Sequence, residues 1–273
     1  MKVSAYIPCC NNGPTVAQAV ESVRRQDAPV AELFAIDDGS SDGSVEILQA
    51  LGVRLLRNSC NLGRGAVRAW ATREASHESI LACDAGIALP PDFLRRALTW
   101  MREERVAAVF GPVQASTPRN ARDRWRARHL FKAGSIGPLH RAASLATGGV
   151  LLRKSALLQV GNFAAGLRQG EDAELGRRLL AGGFEVLFDP ELKVLALGQN
   201  SLRQVLERYG RWNAARERSP GLANYLKQVS YSIKVMARED LRERDPASAA
   251  ISFLCPHYMF WKTWLRRPAR PSR

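Results

Sequence analysis

The stretch Leu33-Phe34-Ala35-Ile36-Asp37-Asp38-Gly39-Ser40-Ser41-Asp42 decides the fold of the chain. Its first four residues are apolar and predict a buried strand at 33–36. The strand runs into a turn rich in Asp, Gly and Ser, which favour turns and helix N-caps. Val45, Leu48 and Leu51 then recur at three-residue spacing and predict a helix that ends at Gly52. A buried strand followed at once by an amphipathic helix is one unit of an α/β fold.

The same alternation extends to both sides of this unit. Further strands are predicted at residues 3–7, 53–56, 80–83, 106–110, 150–152 and 186–188. Helical spacing of apolar residues is found at 16–23, 66–71, 93–101 and 171–181. Short connections between alternating strands and helices favour a Rossmann-like, mainly parallel sheet with helices on both faces. Residues 112–146 interrupt the alternation, and from about Ser201 the chain is predicted to be helical.

The composition and the charge distribution exclude several classes of protein. With 273 residues, 46% hydrophobic and 24% charged, the chain is typical of a globular protein with a buried core. The first 100 residues carry 10 basic and 11 acidic side chains, whereas residues 101–273 carry 30 and 15. An anionic partner is therefore expected to meet the second half. The N-terminus lacks a signal-peptide pattern, and the apolar stretch Ile251–Trp261 is too short to span a bilayer. The sequence thus predicts a cytoplasmic protein.

Polar residues follow the predicted parallel strands at the edge where open α/β sheets bind ligands. Pro8–Gly13 follow the first strand, Asp37–Ser44 the second, Asn58–Arg68 the third and Asp84-Ala85-Gly86 the fourth. The G-x-G-x-x-G pattern of dinucleotide sites is absent after the first strand, and carboxylates stand at the ends of two strands instead. For Asp37–Ser40 alone, a plain turn with a helix N-cap is an equal interpretation.

Taken in order, several segments resemble the family 2 glycosyltransferases of the GT-A fold. The matching segments are Val3–Pro8 with Asn11, Ile36–Asp42, Asn61–Gly65 with Arg68, Cys83–Ala85, Gly161–Phe163 and Gly170–Asp172. The resemblance spans roughly residues 1–215 and is specific as an ordered set. It implies that a sugar is transferred, with inversion, from a nucleotide-diphosphate donor to an acceptor hydroxyl. The acceptor is expected to be a lipid-linked sugar, a glycan precursor or a protein.

The resemblance also implies a division of the chain. Residues 1–215 are expected to form the GT-A domain, with a nucleotide-binding half at 1–110 and an acceptor-binding half at 111–215. Residues 216–273 are expected to form a basic helical extension. The expected function is synthesis of a cell-surface glycan or glycoconjugate. The rival hypothesis is a catalytically degenerate protein with a nucleotide-sugar-binding or regulatory role. The intact pair Glu171-Asp172 argues against this hypothesis.

Individual residues take roles from this resemblance. The expected donor-binding residues are Pro8, Asn11, Asp37, Asp38, Gly39, Gly63, Arg64, Arg68 and Asp84. Carboxylates at a strand end suit hydrogen bonds to a base N–H or to ribose hydroxyls, and Asp84 would hold the ribose or sugar near the diphosphate. Arg64 and Arg68 lie one helical turn apart and suit contact with a base or a phosphate. A solvated helix face is the alternative interpretation for both arginines.

The expected catalytic residues are Asp172 and its neighbour Glu171. An acceptor hydroxyl must lose its proton as it attacks the anomeric carbon, and a carboxylate serves as general base for that step. By resemblance the base is Asp172. Acidic residues also favour the N-terminus of a helix because of the helix dipole. The two interpretations of Glu171-Asp172 are compatible.

Two departures from the family pattern put a divalent metal cofactor in doubt. The D-x-D motif has Gly86 at its third position, and Val194–Asn200 lacks the His that is common after the last core strand. Asp84 alone would be a weak ligand for Mg²⁺ or Mn²⁺. Guanidinium groups are the expected substitute at the diphosphate, and the candidates Arg208, Arg211 and Trp212 lie in a loose Q-x-x-R-W segment. A basic helix face is the alternative for this segment.

The C-terminus combines aromatic and basic residues. Lys262, Arg266, Arg267, Arg270 and Arg273 occur without an acidic residue among them, and Phe260, Trp261 and Trp264 lie close by. This pattern predicts peripheral adsorption to the anionic inner face of the cell membrane, with a solvated tail as the equal alternative. Nucleic acid is not an expected partner, because no recognised binding module is present.

Overall fold

The computed structural model describes residues 1–115, 120–132, 136–198, 200–214 and 222–265, and for 211–214 and 263–265 it describes the backbone alone. The chain forms two compact units. The sheet unit comprises Met1–Ser116 with Ser135–Gly198, and the helical unit comprises Thr117–Gly134 with Gln199–Arg273. This division differs from the boundary expected at residue 215, since α8 (Leu202–Ala214) belongs to the helical unit. The assignment of residues 1–110 and 111–215 to donor and acceptor binding stays a prediction.

The sheet unit contains two sheets. The strands are β1 (Val3–Cys9), β2 (Glu32–Asp38), β3 (Arg54–Asn58), β4 (Ser79–Cys83), β5 (Ile87–Ala88), β6 (Val106–Phe110), β7 (Val113–Ala115), β8 (Gly149–Arg153), β9 (Glu185–Phe188) and β10 (Val194–Ala196). Seven strands form the main sheet in the order β3-β2-β1-β4-β8-β6-β9, in which only β8 is antiparallel to its neighbours. The second sheet has the order β5-β10-β7.

Helices follow most of the strands. In the sheet unit they are α1 (Gly13–Arg24), α2 (Ser44–Ala50), α3 (Arg64–Glu74), α4 (Phe93–Trp100), α6 (Lys154–Gln159) and α7 (Glu171–Ala181). In the helical unit they are α5 (Ala121–Trp125), α8 (Leu202–Ala214), α9 (Leu222–Tyr231), α10 (Arg238–Arg242) and α11 (Pro246–Leu265). Helix α5 continues as a π-helical turn at Arg126–Leu130, and another π-helical turn, Ser232–Ala237, joins α9 to α10.

The core of the sheet unit follows from the alternation of side chains along the strands. Successive side chains of a strand point to opposite faces of the sheet. One core cluster joins Tyr6, Phe34 and Ile80 of the strands to residues of α3, α6 and α7. Helix α1 buries Val16 and Val20 outside this cluster, as expected for a helix on the other face. The two packed faces fix the register of the sheet and therefore the positions of the loops at its edges.

The helical unit has a core of its own. Trp125, Tyr209 and Met236 are buried together with apolar residues of α8 and α11. Its buried carboxylates are satisfied: Asp240 accepts from Ser252 Oγ at 2.6 Å, and Asp245 accepts from Arg124 Nε at 2.7 Å. None of the helices within the described ranges combines the length and the hydropathy that a bilayer-spanning segment needs.

The predicted fold class is confirmed: the sheet is mainly parallel and carries helices, and a helical C-terminal part follows. Three short strands, β5, β7 and β10, were not predicted, because two or three residues are too few to show an alternation. Strand β7 lies inside residues 112–146, where the sequence shows only an interruption of the alternation.

Candidate active site

The carboxyl ends of β1, β2, β3 and β4 lie at one edge of the main sheet, because these four strands are parallel neighbours. The polar segments that follow the strands therefore meet at that edge. Hydrogen bonds between them are numerous and specific. They bring together the expected residues Asn11, Asp37, Asp38 and Gly63, and Gly39 joins them by close contact with Cys60.

Asp38 organises the loop that leads into α3. Its carboxylate is buried and accepts hydrogen bonds from Asn58 Nδ2 at 2.8 Å, from Leu62 N at 2.9 Å and from Gly63 N at 2.9 Å. Three donors account for most of the acceptor capacity of a carboxylate. Asp38 thus holds the end of β2 against the start of α3.

Asp37 and Asn11 fix the neighbouring turns. Asp37 is fully buried and accepts from Ser40 N at 3.2 Å, which confirms the turn at Asp37–Ser40. The helix N-cap in that interpretation is wrong, because the N-cap of α2 is Gly43. Asn11 donates from its backbone N to Ser40 Oγ at 2.9 Å and accepts from Ser41 N at 2.8 Å. Asn11 has a φ of 54°, in the left-handed region that Asn tolerates better than most residues. Pro8 is half-buried at the end of β1.

Gly39 and Gly63 allow loops to approach each other closely. Gly39 has a φ of +70°, and a Cβ atom there would lie 2.8 Å from the carbonyl carbon of Cys60. Gly63 has a φ of +97°, and a Cβ atom there would lie 2.9 Å from Cα of Arg168. Both positions combine a backbone conformation that favours glycine with contact to another loop. They close the edge of the site around Asp38.

Arg68 joins three elements at the centre of the site. Its guanidinium donates to Asp84 Oδ1 at 2.7 Å, to Glu171 Oε1 at 3.2 Å and to the hydroxyl of Tyr6 at 3.2 Å. These partners lie after β4, at the start of α7 and on β1. The side chain of Arg68 is 1% exposed, so the alternative of a solvated helix face is wrong for this residue. The expected contact of Arg68 with a base or phosphate stays a prediction.

The electrostatics of this cluster follow from burial and from charge pairing. Burial alone would lower the pKa of Arg68, but the charge of Asp84 and then that of Glu171 raise it well above its ordinary value. Burial raises the pKa of Glu171, and the positive charge of Arg68 opposes that shift. Burial likewise raises the pKa of the Tyr6 hydroxyl. Arg68 therefore stays charged, and Tyr6 is a neutral phenol at physiological pH.

Asp172 differs from Glu171 in its surroundings. Glu171 is 1% exposed and held by Arg68, whereas Asp172 is partly exposed on the next position of α7. The one hydrogen bond that the described residues give its carboxylate comes from Ala173 N at 2.8 Å. Within the described residues, no cationic side chain forms an ion pair with Asp172, so its role as a base stays a prediction.

Two exposed arginines border the same loops. Arg64 begins α3 and lies near enough to Glu171 to oppose the rise of its pKa. The backbone of Arg168 packs on Gly63, and its guanidinium donates to the backbone oxygen of Asn61 at 3.0 Å and to the Asn61 side chain. Arg168 was not among the expected residues. The pair Gly63 and Gly65 signals a close approach of another segment, but glycine spacing does not identify that segment.

The described residues do not supply a full set of protein ligands for a divalent metal at this site. Within the described ranges, no three His, Cys, Asp or Glu side chains lie close enough to share an ion. Asp84 is the one carboxylate of the degenerate motif, and Arg68 already donates to it. A cation beside a lone carboxylate reduces its attraction for a metal. We derive no catalytic step through a metal at this site.

Several expected residues belong to the helical unit or lie outside the described residues. Arg208 is half-buried on α8 of the helical unit. The side chains of Arg211, Trp212 and Trp264 and the whole of Arg266, Arg267, Arg270 and Arg273 lie outside the described residues. The expected contact of Arg208, Arg211 and Trp212 with a diphosphate stays a prediction, as does adsorption of the tail to a membrane.

Comparison with known proteins decides the family. A family model described as "Glycosyl transferase family 2" matches residues 4–161, more than half of the chain. The chain belongs to glycosyl transferase family 2. The expectation drawn from the ordered motifs is thereby confirmed.

Curated relatives carry transferase and synthase names. An N-acetylglucosaminyltransferase of Bradyrhizobium diazoefficiens is 26% identical over 247 residues, which cover 81% of this chain and 50% of the relative. A hyaluronan synthase of Streptococcus pyogenes is 26% identical over 162 residues, covering 55% of this chain and 38% of the synthase. The chain thus spans about half the length of the curated relatives it matches.

Solved structures share the fold. S. aureus TarS 1–349 in complex with UDP-GlcNAc superposes with a TM-score of 0.60 at 19% identity, covering 96% of this chain and 74% of TarS 1–349. The mannosyltransferase PcManGT of Pyrobaculum calidifontis, in complex with GDP-Man and Mn²⁺, gives a TM-score of 0.59 at 15% identity, covering 98% of this chain and 76% of PcManGT. The GT-A fold of this family member is therefore shown.

Proposed function

We propose that this family 2 member is an inverting hexosyltransferase that transfers a sugar from a nucleotide-diphosphate donor to an acceptor hydroxyl. The observation that carries the proposal is the Arg68 cluster, in which one buried guanidinium holds Asp84 and Glu171 beside the partly exposed Asp172. The donor-side carboxylate of Asp84 and the carboxylate of Glu171, the neighbour of the candidate base, are thus anchored to the same guanidinium. Glu171 is buried and Asp172 is partly exposed, and carboxylates in different surroundings suit different roles.

In the proposed reaction the acceptor oxygen attacks the anomeric carbon and Asp172 accepts the proton of the acceptor hydroxyl. The new bond joins the acceptor oxygen to the anomeric carbon, and the bond from that carbon to the diphosphate oxygen breaks. The nucleoside diphosphate leaves with the electron pair. Single displacement inverts the anomeric centre. Glu171 and Arg68 hold the start of α7, so that Asp172 is positioned for the proton transfer.

The donor-binding roles are assigned by what each residue touches. Asp37, Asp38 and Asn11 tie the loops that would surround a nucleotide, and their own hydrogen-bonding groups are largely engaged within the protein. We therefore assign them to shaping the donor pocket together with Pro8, Gly39 and Gly63. Asp84 keeps one carboxylate oxygen free of Arg68 and suits a ribose or sugar hydroxyl.

The donor class is supported by the neighbours. TarS was solved with UDP-GlcNAc and PcManGT with GDP-Man, and the rhizobial relatives are named N-acetylglucosaminyltransferases. We propose a UDP-linked N-acetylhexosamine as the donor, and a glycan or lipid-linked saccharide as the acceptor. The protein would act on the cytoplasmic side, where nucleotide-sugars are made.

A donor panel tests the proposal. The full chain is incubated with UDP-GlcNAc, UDP-GalNAc, UDP-Glc and GDP-Man, and thermal shift and release of nucleoside diphosphate are measured. We expect stabilisation and slow donor hydrolysis with one UDP-sugar. Binding without any release across donors and acceptors would support the degenerate binding protein instead. The absence of both binding and release would contradict the proposal.

Removal of divalent metal is expected to leave most of the activity. Because the described residues supply only Asp84 as a metal ligand, the diphosphate would be neutralised by a cationic side chain. The exposed Arg64 is the candidate, since a guanidinium group binds phosphate oxygens bidentately. Turnover in excess EDTA is expected to stay within about threefold of the rate without chelator. A metal that took part in the reaction would contribute several kcal/mol, so its removal would lower the rate far more than threefold. Loss of turnover in EDTA that Mn²⁺ restores would show that a metal is required.

Gly86→Asp supplies the matched variant for this measurement. A Cβ atom at Gly86 meets no atom within 4 Å, so a side chain fits there without displacing a neighbour. A second carboxylate two residues after Asp84 is expected to create Mn²⁺ binding that calorimetry detects in the variant and not in the natural chain. Equal binding to both proteins would show that the natural residues already hold the ion.

A further inference from the structure

The two units of the chain differ sharply in charge. The sheet unit contains 19 Lys and Arg against 19 Asp and Glu, whereas the helical unit contains 21 against 7. The whole net charge of +14 therefore resides in the helical unit. An anionic partner of this protein is expected to meet that unit.

One surface of the helical unit presents cations and apolar side chains together. The continuous helical segment 222–242 bears a shallow depression lined by Ile233, Lys234, Ala237, Arg238, Leu241 and Arg242. We call these six residues the basic groove. Ile233 is 48% exposed and Leu241 is 58% exposed. No acidic residue lines the groove.

Among the described residues, the cations of the groove have no acidic partner. Arg124 and Arg128 form ion pairs with the buried carboxylates of Asp245 and Asp240. Lys234, Arg238 and Arg242 are exposed and form no ion pair with any residue in the described ranges. Their charges are therefore available to an external partner, and they repeat every four residues beside the apolar positions 233, 237 and 241.

The apolar residues extend beyond the groove. Leu222 is 66% exposed and Leu226 is 56% exposed on the same helical segment, and Tyr231 is 54% exposed. A nucleic acid or an acidic protein surface would pair with the cations but would leave these apolar side chains in water. A lipid surface takes up both, because phosphate headgroups pair with Lys and Arg while the apolar face enters the acyl boundary.

We propose that the basic groove on residues 222–242 docks the protein onto an anionic phospholipid surface. The segment lies in the plane of the interface, with Ile233 and Leu241 inserted and Lys234, Arg238 and Arg242 at the phosphates. This surface consists of described residues, and residues 262–273 are not part of it in sequence. The inference goes beyond the transfer reaction and does not depend on it.

Vesicle flotation with the full chain tests the proposal. The vesicles are phosphatidylcholine, with or without a third of phosphatidylglycerol, at physiological ionic strength. The charge variant carries Lys234→Gln, Arg238→Gln and Arg242→Gln, and the apolar variant carries Ile233→Ser and Leu241→Ser. The charge variant is expected to bind anionic vesicles on the order of 100-fold more weakly, because each of its three lost cations contributes about one kcal/mol. The apolar variant is expected to lose binding to a similar extent.

Matched controls come from the sheet unit. The exposed residues Arg25, Arg73 and Arg102 replaced by Gln give the same loss of charge, and Leu139→Ser with Leu158→Ser gives the same loss of exposed apolar side chains. These controls are expected to bind vesicles as the natural chain does. Circular dichroism of every variant confirms that the helices are retained.

Four outcomes would overturn the proposal. Binding that persists in both groove variants but disappears when Arg266, Arg267, Arg270 and Arg273 are replaced by Gln assigns adsorption to the tail. Oligonucleotide binding that the charge variant abolishes, without vesicle binding, assigns the groove to nucleic acid. A dimer in light scattering that only the apolar variant dissociates assigns the groove to a second copy of the chain. Equal loss in groove variants and controls shows a nonspecific charge effect.

Discussion

Asp172→Asn is expected to lower the turnover of sugar transfer by a factor of about 10² to 10⁴, the contribution of a positioned general base. The amide cannot accept the proton of the acceptor hydroxyl, and it leaves the volume and the bond from Ala173 N nearly unchanged. Donor affinity is expected to stay within about threefold, because an interaction made only in the transition state lowers kcat without changing ground-state binding. Steady-state kinetics with the donor found in the panel, together with donor titration by calorimetry, measure both quantities.

Glu174→Gln is the control for Asp172→Asn. Glu174 also lies in the first turn of α7, and its carboxylate pairs with Arg178 at the surface rather than with the Arg68 cluster. Its loss is expected to leave kcat nearly unchanged, since a partly exposed i,i+4 pair on a helix contributes only about 0.3–0.5 kcal/mol of stability. Full activity in Asp172→Asn would remove this residue from the role of base, and equal loss in both variants would assign the effect to the helix N-terminus.

Arg68→Met is expected to lower the free energy of unfolding by about 3–5 kcal/mol and to abolish transfer. Methionine fills a similar volume, but it leaves Glu171 buried without the charge that opposes its desolvation, and removal of one partner of a buried ion pair has about this cost. Arg68→Lys keeps a positive charge but loses the fork that reaches Asp84, Glu171 and Tyr6 at once. For Arg68→Lys we expect a loss of unfolding free energy between that of Arg68→Met and zero. Urea denaturation followed by circular dichroism measures the free energies.

Two further variants make the Arg68 result specific. Arg73→Met changes an exposed arginine of the same helix and is expected to alter the free energy of unfolding by less than about 0.5 kcal/mol. Arg68→Met combined with Glu171→Leu replaces the buried pair by apolar groups, which is often neutral for stability. The double variant is expected to regain stability without activity. If Arg68→Met is as stable as the natural chain, Arg68 does not anchor Asp84 and Glu171 as we describe.

The sequence predicts the strands of the parallel part of the sheet and the edge at which the polar loops meet. That part succeeds because buried parallel strands are continuous apolar runs, as at Leu33–Ile36, and because loops at one edge follow from strand direction. The order of the motifs along the chain predicted the family. Asp37 had two interpretations, a donor-binding residue by resemblance and a turn residue by its tetrapeptide. Its carboxylate accepts from Ser40 N and forms the turn.

The contacts inside the site depend on tertiary structure. The spacing of Arg64 and Arg68 placed both on one side of α3, yet Arg68 is buried and Arg64 is exposed. The difference arises because α7 and β4 bring Glu171 and Asp84 to Arg68, which no local pattern encodes. Arg168 was missed for the same reason, since it contacts Asn61 across more than 100 residues of chain.

The antiparallel strand β8 is an exception to the rule that the residues after a strand lie at the ligand-binding edge of the sheet. Because β8 lies between β4 and β6 and runs opposite to both, the residues that precede it, and not those that follow it, face the site edge. Gly148 accordingly accepts from Asp84 N at 2.8 Å, while Arg153, at the other end of β8, donates to the backbone oxygen of Val106. A mutational library meant to alter substrate choice should therefore randomise Ala146–Gly148 along with the segments that follow β1, β2 and β4. Randomising the residues after β8 would sample the far edge instead.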